Sequence, residues 1–115
     1  MKTIIAGSRD HNLTYERFYE LMAQGEWNIT MVLSGTARGI DRMGERWAAE
    51  RNIPIERYPA DWDRYGKSAG YRRNVEMACR AEALVAFWDG KSRGTENMIE
   101  IARKWELWER VWRIK

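Results

Sequence analysis

Met31-Val32-Leu33-Ser34-Gly35-Thr36-Ala37-Arg38-Gly39-Ile40-Asp41 decides the fold: three apolar residues, a polar turn holding two glycines, and then a return to apolar spacing. Met31-Val32-Leu33 has the unbroken apolar character of a strand buried on both faces. After Gly39, positions Ile40, Met43, Trp47, Ala48 and Arg51 recur every three or four residues, the period of a helix. Strand, glycine turn and helix form one half of a βαβ unit. The glycines let the backbone approach a ligand, Ser34 adds a hydroxyl and Arg38 a guanidinium. The start of the helix adds unpaired N–H groups and the positive end of its dipole, which together hold anions. Asp41, in the first helical turn, either stabilises that dipole or accepts hydrogen bonds from a ligand hydroxyl or from Arg38.

The same alternation extends in both directions. Thr3-Ile4-Ile5-Ala6 predicts a first strand ending at Gly7. Tyr15, Phe18, Leu21 and Met22 predict a helix over about 14–24, with Thr14 as N-cap and Gly25 as its stop. Pro54 through Tyr58 predicts a third strand, and Pro59 to Gly70 a long irregular loop. Tyr71, Val75, Ala78 and Cys79 define one face of a third helix, and Ala83 to Trp88 the most hydrophobic strand. Met98, Ala102 and Trp105 mark a fourth helix, and Trp108 to Ile114 an edge strand. Strands alternating with helices imply right-handed crossovers. The expected architecture is a single α/β domain over 1–115, a Rossmann-like three-layer sandwich around a mainly parallel sheet of about five strands. Ligands of such sheets sit beyond the carboxyl ends of the strands, where the strand order reverses.

Bulk composition narrows the class. The 115 residues are 44% hydrophobic and 32% charged, and no apolar run approaches the roughly 20 residues of a membrane span. The N-terminus has no long apolar stretch of the signal-peptide kind. Cys79 is the single cysteine and His11 the single histidine, so neither an internal disulfide nor a structural zinc site is available. A cytoplasmic location without membrane association is the expectation. The net charge of +3 is modest and dispersed, giving weak support to nucleic acid as a partner. Seven tryptophans, four of them (Trp88, Trp105, Trp108 and Trp112) near the C-terminus, suit core packing plus a partner surface and lead us to expect a homo-oligomer.

Two further turns fall at the same end of the sheet. Gly7-Ser8-Arg9-Asp10 offers a glycine, a hydroxyl and a guanidinium. Asp89-Gly90-Lys91-Ser92-Arg93-Gly94-Thr95 opens the fourth helix with N-cap-type side chains. The long loop contributes Asp61, Trp62, Tyr65 and Lys67, and the helix after it Arg73 and Asn74. Trp62 or Tyr65 could stack on a base, or serve as a packing lid or dimer contact. Gly66-Lys67-Ser68 and Gly90-Lys91-Ser92 resemble the end of a P-loop, but the required earlier glycine is replaced by Asp61 and Val85. No GxGxxG follows the first strand, which removes support for ordinary dinucleotide oxidoreduction. His11 has no evident nucleophile partner, and Cys79 is expected to be a buried, inert thiol.

Gly7-Ser8-Arg9-Asp10, Ser34 through Asp41, Pro59-Ala60-Asp61-Trp62, Arg73-Asn74-Met77 and Ala86 through Gly90 with Thr95-Glu96-Asn97-Met98 occur here in one order. Together they resemble the YspA-like, SLOG-type branch of the superfamily that contains DprA and the LOG phosphoribohydrolases, over nearly the whole chain. The resemblance implies a domain that binds or senses nucleotides or nucleotide-derived ligands, including molecules related to NAD or ADP-ribose; beyond such a ligand no definite cofactor is expected, and no metal. On this basis Arg9, Arg38 and Arg93, with the glycine-turn amides, are expected to hold phosphates, and Asp41, Asp89 and Thr95 to contact sugar hydroxyls. Two alternatives follow from the relatives. LOG enzymes hydrolyse a nucleotide's N-glycosidic bond through a PGGxGTxxE turn. Here Gly94-Thr95 matches, while Asn97 and Met98 stand where the acidic pair would fall, leaving Glu96 and Asp89 as acid/base candidates. DprA shares the Ser34-to-Asp41 pattern and binds single-stranded DNA.

Overall fold

A computed structural model of the chain describes residues 1–25 and 28–114. Five strands, β1 (Lys2–Gly7), β2 (Met31–Ser34), β3 (Ile55–Arg57), β4 (Ala83–Trp88) and β5 (Trp108–Arg113), form one sheet in the order β3-β2-β1-β4-β5. Every pairing is parallel. The helices are α1 (Tyr15–Ala23), α2 (Ile40–Glu50), α3 (Trp62–Tyr65), α4 (Ala69–Arg80) and α5 (Arg93–Lys104). The expected Rossmann-like three-layer α/β arrangement is therefore present, with β5 at one edge.

Side-chain alternation along the strands splits the core into two layers. Ile4, Leu33, Leu84 and Ala86 point to one face, where they pack with Met77 and Ala78 of α4 and Met98, Ile99, Ile101 and Ala102 of α5. Ile5, Val32, Val85 and Phe87 point to the other, against Phe18, Leu21 and Met22 of α1 and Ile40, Trp47 and Ala48 of α2. The ring of Phe18 lies 4.8 Å from that of Phe87, tying α1 to the central strands. With both faces covered, the central strands need no polar side, which is why they appear as continuous apolar runs.

The strand order sets the position of the site. The chain lays β2 and β3 to one side of β1, then crosses to lay β4 and β5 on the other. The connections leaving the carboxyl ends of β1 and β4 therefore diverge and open a crevice between them.

Two expectations require correction. Residues 59–70 are not an irregular loop: α3 and a 3₁₀ turn over Gly66–Ser68 lead directly into α4. The Asp61 carboxylate starts α3 by accepting from the Arg64 N–H at 3.1 Å, a local cap on a segment too short to show a period. The second concerns the buried face of α4, which carries Ala69, Asn74, Met77 and Ala78 rather than Tyr71 and Cys79. Tyr71 is 54% exposed and the Cys79 thiol is exposed. The helix turns Asn74 inward for its hydrogen bonds, which rotates the apolar stripe away from the positions that hydrophobicity alone selects.

Candidate functional site

A cleft of about 70 Å³ opens at the carboxyl ends of β1, β2 and β4. Ala6, Gly7 and Arg9 form the wall after β1, and Ala37 and Asp41 the wall after β2. Arg73, Asn74 and Met77 of α4 face Ser92, Gly94, Thr95 and Met98 around the start of α5.

The turn after β2 is built to place Asp41. Ser34, itself buried, donates from its hydroxyl to the Glu45 carboxylate at 2.6 Å and accepts from the Thr36 N–H at 3.1 Å. Thr36 takes a left-handed backbone conformation (φ 63°), and Gly39, the N-cap of α2, has φ 80°. A Cβ on Gly39 would come 2.5 Å from the Arg9 carbonyl oxygen, so only glycine lets the turns after β1 and β2 meet. Asp41 then accepts from the Ala37 N–H at 3.1 Å, with only 6% of its surface exposed. Burial pushes its carboxyl up from 3.8 to about 6, against the lowering influence of the Ala37 N–H, Arg73 and Arg9.

Arg73 faces this carboxylate from across the cleft without pairing with it. Its Nη1 donates to the Gly35 carbonyl at 2.6 Å and its Nε to Asn74 Oδ1 at 3.0 Å. Burial lowers its pKa, and the nearby Asp41 charge opposes that shift. A Cβ on Gly35 would come 2.7 Å from Arg73 Nη1 and 2.9 Å from Asp41 Oδ2. Gly35 is thus the gap through which the two charged groups approach. Asn74 completes the tie to the far wall, donating to Asn97 Oδ1 at 2.9 Å and to the Gly94 carbonyl at 3.4 Å.

The start of α5 closes the cleft. Ser92 caps the helix, accepting from the Thr95 N–H at 3.5 Å and lying 3.1 Å from the Thr95 hydroxyl. Its own position is fixed by Asp89, whose Oδ1 accepts from the Lys91 and Ser92 N–H groups, each at 2.8 Å. Trp88 Nε1 also donates to the Ser92 carbonyl at 3.1 Å. The Ser92 and Lys91 N–H groups hold the Asp89 carboxyl below its ordinary value.

Of the residues singled out from sequence, the structure brings Gly7, Arg9, Asp41, Arg73, Asn74, Ser92, Gly94 and Thr95 together around the cleft. Others support it. Ser8 is buried; its hydroxyl accepts from the Asp89 N–H at 3.2 Å and its own N–H donates to the Phe87 carbonyl at 3.1 Å, stitching β1 to β4. Ser34, Gly35 and Gly39 shape the second turn, and Gly90 lies beneath the Arg113 guanidinium. Several lie elsewhere. Arg38 turns outward to Asp10 at 3.0 Å, and both side chains are largely exposed. Arg93, Lys67, Asp61 and Glu96 are exposed and outside the cleft lining, and Asp89 is occupied in its turn. Ala6, Ala37, Met77 and Met98 line the cleft without having been selected as ligand residues; their apolar character signals only core.

The chain belongs to the YspA, cpYpsA-related SLOG family (YAcAr), which it matches over residues 1–65. It is 32% identical over 112 residues to the Gene 61 protein of Mycobacterium phage D29, covering 90% of this chain and 89% of that protein. No solved structure matches the chain. Membership of this family points to nucleotide-related binding or processing. Among the described residues, no group of histidine, cysteine, aspartate or glutamate side chains is placed to hold a metal ion, and no helix is long and apolar enough to cross a membrane.

Proposed function

We propose that the cleft binds the phosphate-bearing part of a nucleotide or nucleotide-derived ligand. The supporting observation is convergence: Arg9 and Arg73 meet the N-terminal turn of α5 in one crevice, with Asp41, Asn74 and Thr95 beside them. The two guanidinium groups and the α5 amides suit a phosphate, and the carboxylate, amide and hydroxyl suit sugar hydroxyl groups. At about 70 Å³ the cleft suits one phosphate or sugar; pockets that enclose a whole drug-sized ligand run to roughly 300 Å³ or more. Arg73 carries the phosphate role that sequence assigned to Arg38 and Arg93. A thermal-shift panel of AMP, ADP-ribose, NAD and cyclic nucleotides tests the reading. A ligand at about one hundred times its Kd adds roughly 2.7 kcal/mol of stability. The gain should vanish in Arg73→Ala and persist in Arg38→Ala and Arg93→Ala. Stabilisation by no nucleotide, or equal stabilisation in Arg73→Ala, overturns it.

Asp41 favours a second reading, hydrolysis of a nucleotide's N-glycosidic bond. It is a buried cleft carboxyl whose pKa of about 6 keeps part of it protonated near neutral pH. In this reading Asp41 protonates the departing base, the C1′–N bond breaks, and water adds at C1′ and returns a proton to Asp41. Glu96 is exposed outside the cleft and Asp89 is held ionised by its turn, so neither earlier acid/base candidate suits that role. Incubation with nucleoside monophosphates followed by chromatography should release free base from the native protein and none from Asp41→Asn. No release from the native protein removes this reading.

A further inference from the structure

The size of the cleft raises the question of where the rest of a nucleotide would go, and Trp62 stands at its margin. Its side chain is 51% exposed, and α3, which carries it, buries no residue. Gly70 places it relative to the cleft. A Cβ on Gly70 would come 3.4 Å from Cη2 of Trp62 and 4.0 Å from Nη2 of Arg73. The indole and the guanidinium therefore lie over the same bare backbone position. Arg73 itself lines the cleft and donates to the Gly35 carbonyl in the turn after β2, so indole and anion site are contiguous.

The surroundings favour an anionic aromatic ligand over an apolar protein partner. Arg64, Lys67, Arg72 and Arg73 stand against the single acidic residue Asp63 in the segment 62–73. Arg64 and Arg72 lie 5.1 and 4.4 Å from the Tyr65 ring centre, keeping their charge beside the platform.

Building on the phosphate-cleft reading, we propose that Trp62 is the stacking platform for the base of a nucleoside phosphate whose phosphate–sugar end occupies the cleft. Stacking on an aromatic face tolerates any base. The platform thus supplies affinity for a base as such, and the cleft supplies the demand for phosphate. The ligand class is a nucleotide, as opposed to a sugar phosphate or a bare anion.

The test compares AMP, GMP and CMP with ribose 5-phosphate by calorimetric titration of the full chain. The native protein should bind the nucleotides roughly fivefold or more tightly than ribose 5-phosphate, the scale of one stacked base. Trp62→Ala should bring the nucleotides to the ribose 5-phosphate level and leave ribose 5-phosphate itself unchanged, and Trp62→Phe should restore most of the preference. Because Trp62 is exposed, both variants should fold, which their melting curves check. Equal weakening of every ligand in Trp62→Ala, a preference that survives it, or no preference in the native protein overturns the proposal while leaving the cleft reading intact. Failure of all four ligands to bind the native protein overturns the proposal, and the cleft reading falls with it when ADP-ribose, NAD and the cyclic nucleotides also leave the melting curve unmoved.

Discussion

Asp41 shows how burial of one side chain ties the site to stability. The folded chain holds its proton up to about pH 6, whereas the ordinary value is 3.8. An acid raised on folding adds stability that is complete below its ordinary pKa and is lost as pH rises through the folded value. Between pH 4 and pH 8 the native protein should lose on the order of 2–3 kcal/mol through this group. Asp41→Asn keeps an acceptor for the Ala37 N–H and cannot ionise. Urea denaturation should therefore show the variant gaining on the native protein as pH rises from 4 to 8. If the attraction of Arg73 for the carboxylate outweighs burial, the variant instead loses ground at pH 8. Individual site residues were legible in sequence where the turn itself demanded them: Ser34 at the end of the apolar strand, Gly39 just before the helical spacing begins, and Asp41 in the first helical turn. Arg73 and Arg38 could not be ranked that way. Both are arginines near glycine turns, and only the Gly35 carbonyl facing one and Asp10 facing the other separate their roles.

Elements were legible in proportion to their burial. The central strands and α2 carry long apolar patterns because each packs on the sheet, and their predicted positions agree with the structure. Residues 59–70 carried no such signal: α3 and its 3₁₀ extension bury nothing, so a local cap, not a hydrophobic face, determines their shape. The two capped starts should accordingly respond differently to truncation. Ser92 caps α5, a helix with Thr95, Met98, Ile99, Ile101 and Ala102 buried. Ser92→Ala should cost about 1 kcal/mol of global stability, measured by urea denaturation. Asp61→Ala removes the cap of α3, a helix that buries no residue of its own. That variant should leave the denaturation midpoint nearly unchanged and speed hydrogen exchange locally at residues 62–65. A global loss in Asp61→Ala matching that of Ser92→Ala would mean that α3 contributes to the cooperative core.

At the scale of the whole molecule, the reversal of strand order at β1 brings distant segments into one crevice. Residues 7–9, 35–41, 73–74 and 92–95 are separated by tens of positions in the chain yet converge there. Sequence announced three of these segments as turns following strands, but the strand order that gathers them is not contained in the alternation of strands and helices, which closed barrels share. The width of the cleft was not legible, since it depends on how closely Gly35, Arg73 and Asp41 pack. A ligand held in the cleft must therefore touch segments on both sides of the sheet's midline at once. Hydrogen exchange followed by mass spectrometry, with a nucleotide from the thermal-shift panel at saturation, should show slowed exchange in all four segments together. Slowing around residue 62 should accompany it if the base rests on Trp62. The edge strand β5 supplies no residue to the cleft, and its outer amides should exchange at their ligand-free rate. Protection confined to one turn would indicate an anion bound at a single helix start rather than a ligand spanning the crevice. Protection of β5 alone would move the binding surface to the Trp-rich edge and overturn the assignment of the cleft.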